Sequence, residues 1–364
     1  MKTVYHSSFT IYNSQLERIF MTTQLMRQMW CEKPGEVELR QRPIFDVGDD
    51  DVLIKIAYTG ICPWDVRAFS GKSSVAFPRV LGHESSGYVA AVGKNVKHFQ
   101  VGQPVTADCI IKCGVCKACR RGKGNRCLNP TYLQYGGAYA DYTLIPEKSV
   151  YPVKPGADMK AVAFMEPLSC VLRGQDMLRL YPDDVEIVVG LGPIGLMHMQ
   201  VARRFGAKVI GVDLLPARLQ KARELGADWT VNPKETNLAE FVKDVTDDWG
   251  ADAAVIAVGS ARLVEQTLPM LAPGGRLNIF AGIYPKDELR IDPNLIHYNE
   301  YVLTGSADST PENMHRALGL IQDGLIDTAS LVSHILPLED LGRGFEMVKN
   351  AEGLKIMVEV NGEQ

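Results

Sequence analysis

The chain has 364 residues, enough for about two domains, and its 46% hydrophobic and 23% charged residues are ordinary for a globular protein. A net charge of −4 gives no global basic field, which argues against nucleic acid as a partner. No apolar run approaches the roughly 18 residues of a membrane span.

The opening stretch, MKTVYHSSFTIYNSQLERIF, lacks the continuous apolar core of an export signal. Residues 1–25 read as an amino-terminal extension, with Met21 and Met26 as alternative starts. Without an export signal the expected compartment is the cytoplasm. Disulfides rarely persist there, so the eight cysteines need another reason. Residues 35–155 are rich in short β-branched runs and Gly/Pro turns, such as DVLIKIAYTG, SSGYVAAVG and YADYTLIP. That pattern predicts a compact β-rich unit. Within it, residues 60–67 read GICPWDVR. Taken alone, Cys62 is either a small buried hydrophobe or a ligand whose partners lie far along the chain.

Five cysteines fall between Cys109 and Cys127. Four of them, Cys113, Cys116, Cys119 and Cys127, form CGVCKACRRGKGNRC with spacing C-x2-C-x2-C-x7-C. In a reducing compartment this spacing points to a closed tetrahedral zinc site of structural type. A disulfide-bonded or reactive lobe and an iron–sulfur cluster are the competing readings. Lys117, Arg120, Arg121 and Lys123 favour the thiolate forms. Cys109 lies outside the pattern and reads as a small core residue.

Residues 185–195, VEIVVGLGPIG, predict a strand that runs into a glycine turn, Gly190-x-Gly192-x-x-Gly195, with Pro193 and Ile194 inside it. The following LMHMQVARRFGA has helical spacing, and KVIGVD predicts a second strand ending in Asp213. Gly190 permits the tight turn, Gly192 lets a pyrophosphate approach, and Gly195 lets the helix pack on the strand. Free N–H groups at the helix start would face the phosphates. Asp213 lies 23 residues beyond Gly190, the expected place for an acid that binds the adenosine ribose. Its charge favours NAD over NADP, while Arg218 could stack on adenine or reach a phosphate and blur that preference. KARELGAD then predicts a helix ending at Gly226, and AAVIAVGS and GGRLNIFAGI predict buried strands. Alternating strands and helices imply a doubly wound parallel sheet. Residues after about 303 should return to the β-rich unit. No internal repeat or low-complexity segment is evident.

In this order, GICPWDVR, LGHESSGYV, CGVCKACRRGKGNRC, EPLSC and VVGLGPIG resemble the zinc-dependent medium-chain alcohol dehydrogenases. The likeness is strongest to the sorbitol and threonine dehydrogenase branch, which acts on polyols. It runs from about residue 27 to the end. It implies an α/β fold in which a GroES-like catalytic domain (26–160 and 303–364, with the cysteine lobe at 109–127) flanks a Rossmann domain (161–302). Two zinc ions per chain are implied. Cys62, His83 and Glu166 match ligands of a catalytic zinc. Glu84 matches the family's GHE as a ligand, an exchanging ligand or a nearby base. Asp65 matches the carboxylate that orients the ligand His.

The resemblance also exposes a departure. Where the family commonly places a Ser or Thr two residues after the cysteine and sometimes a His five after it, this chain has Trp64 and Arg67. An indole only donates and a guanidinium stays protonated, so neither supplies that proton relay. Glu84, a water or the substrate's own hydroxyls could carry the proton. Trp64 could form a wall for a ring-shaped substrate. Arg67 could meet a carboxylate or phosphate, or simply form a surface salt bridge. Substrate shape would come from residues 64–76, 131–138 and 284–310. The expected activity is NAD-dependent oxidation of a secondary alcohol of a polyol, cyclitol, sugar or hydroxy acid, by a homodimer or homotetramer. An NADPH-dependent zinc aldehyde or ketone reductase, and a non-catalytic protein on the same scaffold, are the alternatives.

Overall fold

The structure is a computed structural model describing residues 24–133 and 136–363. The expected extension therefore lies outside the described residues as far as residue 23. Among the described residues no helix is long and apolar enough to cross a membrane.

The β-rich unit is built around one long strand, Asp51–Gly60. It pairs antiparallel with Glu84–Val92, Tyr142–Pro146 and Lys355–Glu359. Its apolar side chains Val52, Ile54 and Ile56 pack with Ile145, Phe345, Ile356 and Val358 in one core. Strand Lys355–Glu359 thus belongs to the same sheet as Asp51–Gly60. A smaller sheet joins Leu25–Lys33 to Glu36–Pro43 and Arg79–Val80.

The second unit is a six-stranded parallel sheet. Its spatial order is Trp229–Val231, Lys208–Val212, Val185–Val189, Ala251–Ile256, Leu271–Ile279, Val302–Gly305. In chain order this is 3-2-1-4-5-6, the doubly wound arrangement. Order reverses beside Val185–Val189, so a crevice opens at the carboxyl end of that strand, where the glycine turn lies. Gly190 has φ +92°, which an L side chain rarely adopts. A Cβ on Gly195 would collide with the carbonyl oxygen of Gly190. Helix Pro193–Arg204 starts on Gly192 with Pro193 at its first position, where no N–H is missed.

The domain boundary expected near 303 is displaced. Val302–Gly305 pairs in parallel with Leu271–Ile279 and forms the edge of the Rossmann sheet. The next helix, Pro311–Gln322, shares a core with helix Met165–Leu178. The chain re-enters the β-rich sheet only at Val332–Pro337.

The two key glycines predict unequal stability effects. Gly195→Val should cost about 1–3 kcal/mol in chemical denaturation. Gly192→Ala, whose Cβ would meet nothing nearer than Arg218 Nη1 at 4.0 Å, should stay within about 0.5 kcal/mol of the parent.

Candidate active site

The stretch CPWD builds its own corner. Cys62 caps helix Pro63–Phe69: its sulfur accepts from Trp64 N at 3.4 Å, while Asp65 accepts from Cys62 N at 3.2 Å. This reciprocal box fixes the helix start and turns the Asp65 carboxylate back toward Cys62. Asp65 is fully buried. It also accepts from Gly82 N at 3.3 Å and Tyr139 Oη at 2.9 Å, and it meets His83 Nδ1 at 3.3 Å. Burial alone would raise its pKa, but His83, Tyr139 and the Cys62 N–H hold it below the ordinary value. Enclosure opposes charge on His83, yet Asp65 outweighs it and lifts the imidazole well above its usual pKa.

Cys62, His83 and Glu84 each direct a ligand atom into one spot, all within 4.8 Å of one another. A sulfur, a nitrogen and a carboxylate oxygen fit zinc by chemistry. Burial pushes the Cys62 thiol up, partly offset by His83, so a bound cation would favour the thiolate. Glu84 is buried and forms an ion pair with Lys355, also buried. Strand register explains the contact: Gly60 pairs with Glu84 on one side and Met357 on the other. A Cβ at Gly60 would strike both Glu84 and Lys355.

Glu166, at the start of helix Met165–Leu178, is not within that group of three. It lines the same cleft, and Cys170 Sγ lies 3.6 Å from its Oε1. Burial, against the pull of His83, pushes the Glu166 carboxyl up to about 7. Trp64 meets the His83 ring edge-on, with centroids 5.6 Å apart. Cys109, expected in the core, packs on it but also lines the cleft. Position alone carried no sign of this. Lys355, Tyr139 and Cys170 were missed by sequence reasoning, because each is brought in by long-range pairing or a helix face.

The four lobe cysteines also converge, their sulfurs within 4.8 Å of one another. Backbone N–H groups of Cys113, Cys116, Cys119 and Leu128 point at these sulfurs at 3.3–3.5 Å. Donors from Leu128 and Cys119 bring Cys116 down to about 6, while burial pushes Cys119 up to about 12. Four sulfur donors with no further side chain among them suit a closed zinc site.

At the far end of the cleft, Pro193, Ile194 and Arg218 line the wall. Asp213 accepts from Leu191 N at 2.8 Å and Leu215 N at 2.9 Å, and Arg218 lies 3.5 Å away. The space in front of Gly192 is open, a cradle that a side chain would fill.

This geometry defines a dehydrogenase-type cleft, and comparison with known proteins agrees. The Alcohol dehydrogenase GroES-like domain matches residues 48–155, and the Zinc-binding dehydrogenase domain matches residues 193–323. Sorbitol dehydrogenase of Bacillus subtilis (strain 168) is 31% identical, over 93% of this chain and 98% of its own length. D-arabitol-phosphate dehydrogenase of Enterococcus avium is 33% identical, over 87% of this chain and 92% of its own. Alcohol dehydrogenase TADH from Thermus sp. ATN1 superposes with a TM-score of 0.84 at 30% identity, covering 92% of this chain and all of that one (100%). The chain belongs to the zinc-dependent medium-chain alcohol dehydrogenases, in the branch of sorbitol and threonine dehydrogenases. It is an oxidoreductase acting on CH–OH groups of small molecules.

Two substitutions test the framework. Asp65→Asn should lower zinc affinity at the Cys62 site about 10–100-fold in competition with a chelator. Lys355→Met leaves Glu84 buried without its partner and should cost about 3–5 kcal/mol by denaturant titration. Adding Glu84→Gln should recover part of that loss.

Proposed function

We propose that the protein oxidises a secondary alcohol of a polyol, cyclitol, sugar or hydroxy acid to a ketone, with NAD as hydride acceptor. The observation that carries this reading is the convergence of Cys62, His83 and Glu84 in a cleft whose other wall is the glycine turn. In this reading Cys62 and His83 hold a zinc ion together with Glu84, Glu166 or both in turn, and the four lobe cysteines hold a second. The bound zinc would act as a Lewis acid on the alcohol oxygen and NAD would accept the hydride.

The protein's own groups would orient and deprotonate the substrate. Asp65 holds His83 through Nδ1, leaving its other nitrogen for the metal. Trp64 walls the site beside His83. Because Trp64 and Arg67 cannot accept a proton, its acceptors are Glu84, Glu166 or the hydroxyls of the substrate itself. Gly192 would admit the pyrophosphate and Asp213 would accept from the adenosine ribose. The Asp213 carboxylate is anchored by two backbone N–H groups beside the glycine turn, and a carboxylate there would disfavour the additional phosphate of NADP. Arg218 favours the second reading, NADP as cofactor, because its guanidinium flanks the same position. A related zinc-binding dehydrogenase structure from Sinorhizobium meliloti 1021, 29% identical with a TM-score of 0.87, has NADP bound. The exposed edge strand Val302–Gly305 offers unpaired backbone groups for joining two copies into a dimer.

The decisive measurement is zinc per chain on chelator-free protein, followed by an NAD- and NADP-coupled screen of alcohols. About two ions are expected. Cys62→Ser should remove one ion and abolish turnover with the fold nearly intact. Cys116→Ser should remove the other and mainly lower stability or assembly. Loss of activity in Cys116→Ser with normal folding and assembly would overturn the division of roles. Turnover with NADP alone would overturn the choice of cofactor.

A further inference from the structure

Arg67 lies three residues after Trp64 on helix Pro63–Phe69, so the two share a helix face. Both line the cleft. The Arg67 guanidinium carbon sits 4.4 Å from the centre of the Tyr284 ring, which comes from the loop after strand Leu271–Ile279. Stacking covers a face of the guanidinium and leaves its in-plane N–H fork for other partners. No carboxylate forms an ion pair with Arg67 among the described residues, and its Nε is shielded from solvent with no acceptor. Arg79, which also lines the cleft, has an Nε in the same condition.

Shielded donors on a charged group are costly to leave unmet, and arginines removed from water are normally paired. Trp64 and Tyr284 are rings that offer no carboxylate. Arg79 has the Asp65 and Cys31 side chains in electrostatic reach, whereas Arg67, in a cleft that also holds Cys62, His83 and Glu84, is arranged for an acceptor that arrives with the substrate. A planar oxyacid group matches the guanidinium fork in shape and charge, accepting two parallel hydrogen bonds. Five residues of helical rise separate Cys62 from Arg67, roughly 7 Å along the axis. Trp64, not Arg67, packs against His83, and Arg67 stacks on Tyr284 instead, so the acceptor would sit away from the ligand cluster rather than on it.

We infer that Arg67 is the specificity residue for a substrate bearing an anionic oxyacid group, a carboxylate or a phosphate, distal to the reacting alcohol. The inference rests on the dehydrogenase reading above and narrows it. A neutral polyol would leave the Arg67 fork unmet, whereas a sugar-alcohol phosphate or a sugar acid would fill it. Arg67 touches the substrate's far end and takes no part in the hydride or proton step.

The test uses zinc-loaded full-length protein and matched substrates: sorbitol, sorbitol 6-phosphate and gluconate. Wild type should prefer one anionic member over sorbitol by at least 10-fold in kcat/KM, and the preferred member distinguishes phosphate from carboxylate. Arg67→Gln should reduce that preference ratio at least 30-fold, chiefly through KM, and Arg67→Lys should restore part of it. An unchanged ratio, or a change confined to the KM for NAD, would overturn the inference. Calorimetric binding of sorbitol 6-phosphate, gluconate and inorganic phosphate gives a readout independent of turnover. At least one should bind wild type at least 10-fold more tightly than Arg67→Gln. Anion binding lost with Arg67 in a protein that oxidises no alcohol would uphold this site and sink the dehydrogenase reading. Sorbitol oxidation with no Arg67-dependent anion binding would do the reverse.

Discussion

The candidate site depends on one buried carboxylate. Asp65 is fully enclosed, and an ionised group there would be expensive without donors on every side. It has them: the N–H groups of Cys62 and Gly82, the Tyr139 hydroxyl and His83 Nδ1. These come from a helix start, from the segment before strand Glu84–Val92, and from a distant part of the chain. Meeting the needs of one carboxylate therefore brings Cys62 and His83 to a common point. Tyr139 adds a second restraint, because its hydroxyl also lies 3.1 Å from the Gly60 carbonyl. The relative placement of Cys62 and His83 is thus fixed by the protein's own hydrogen bonds, the way a site on short loops becomes rigid.

A second constraint closes the same corner from the carboxyl-terminal side. Lys355 begins the last strand, and its pairing with Asp51–Gly60 carries the ammonium group to Glu84. Burial works against the charge on Lys355, yet Glu84 holds its pKa above the ordinary value. The two side chains form a buried ion pair beside Cys62 and His83. Residues 60, 84 and 355 therefore form one element of structure, and Gly60 is small because both charged side chains cross above it.

How much of this was legible in the sequence follows from the range of each interaction. The glycine turn and the cysteine lobe are local: spacing over fifteen residues or fewer decides the geometry, and the structure brings both together as compact motifs. The corner CPWD is equally local, because a capping box is a four-residue device. Val302–Gly305 was misassigned because a four-residue β-branched strand fits either sheet. Only its parallel partner, Leu271–Ile279, decides, and that is a tertiary fact. Lys355 and Tyr139 carried no signal for a similar reason. A lysine in a strand and a tyrosine in Gly-Gly-Ala-Tyr are ordinary until the fold places them against Glu84 and Asp65. Cys109 was read by its neighbours' motif rather than by its own surroundings.

Helix Met165–Leu178 ties the two ends of the cleft together. Its first turn carries Glu166 into the cleft that holds Cys62, His83 and Glu84, and its buried face shares a core with helices Pro193–Arg204 and Pro311–Gln322. Ser169, fully buried one turn on, bonds the Glu166 carbonyl at 2.6 Å and the Ser309 hydroxyl at 2.7 Å. Ser309 follows Ala307, whose carbonyl accepts from Asn125 and Arg126 of the cysteine lobe. Hydrogen bonds at the surface thus join the lobe to the segment that carries Ser309, and Ser309 joins that segment to the start of the helix. A lobe far from the chemistry then has a physical reason to be closed and rigid. The lobe thus bears on the segment leading to Ser309, and so on the fold, which suits a structural role.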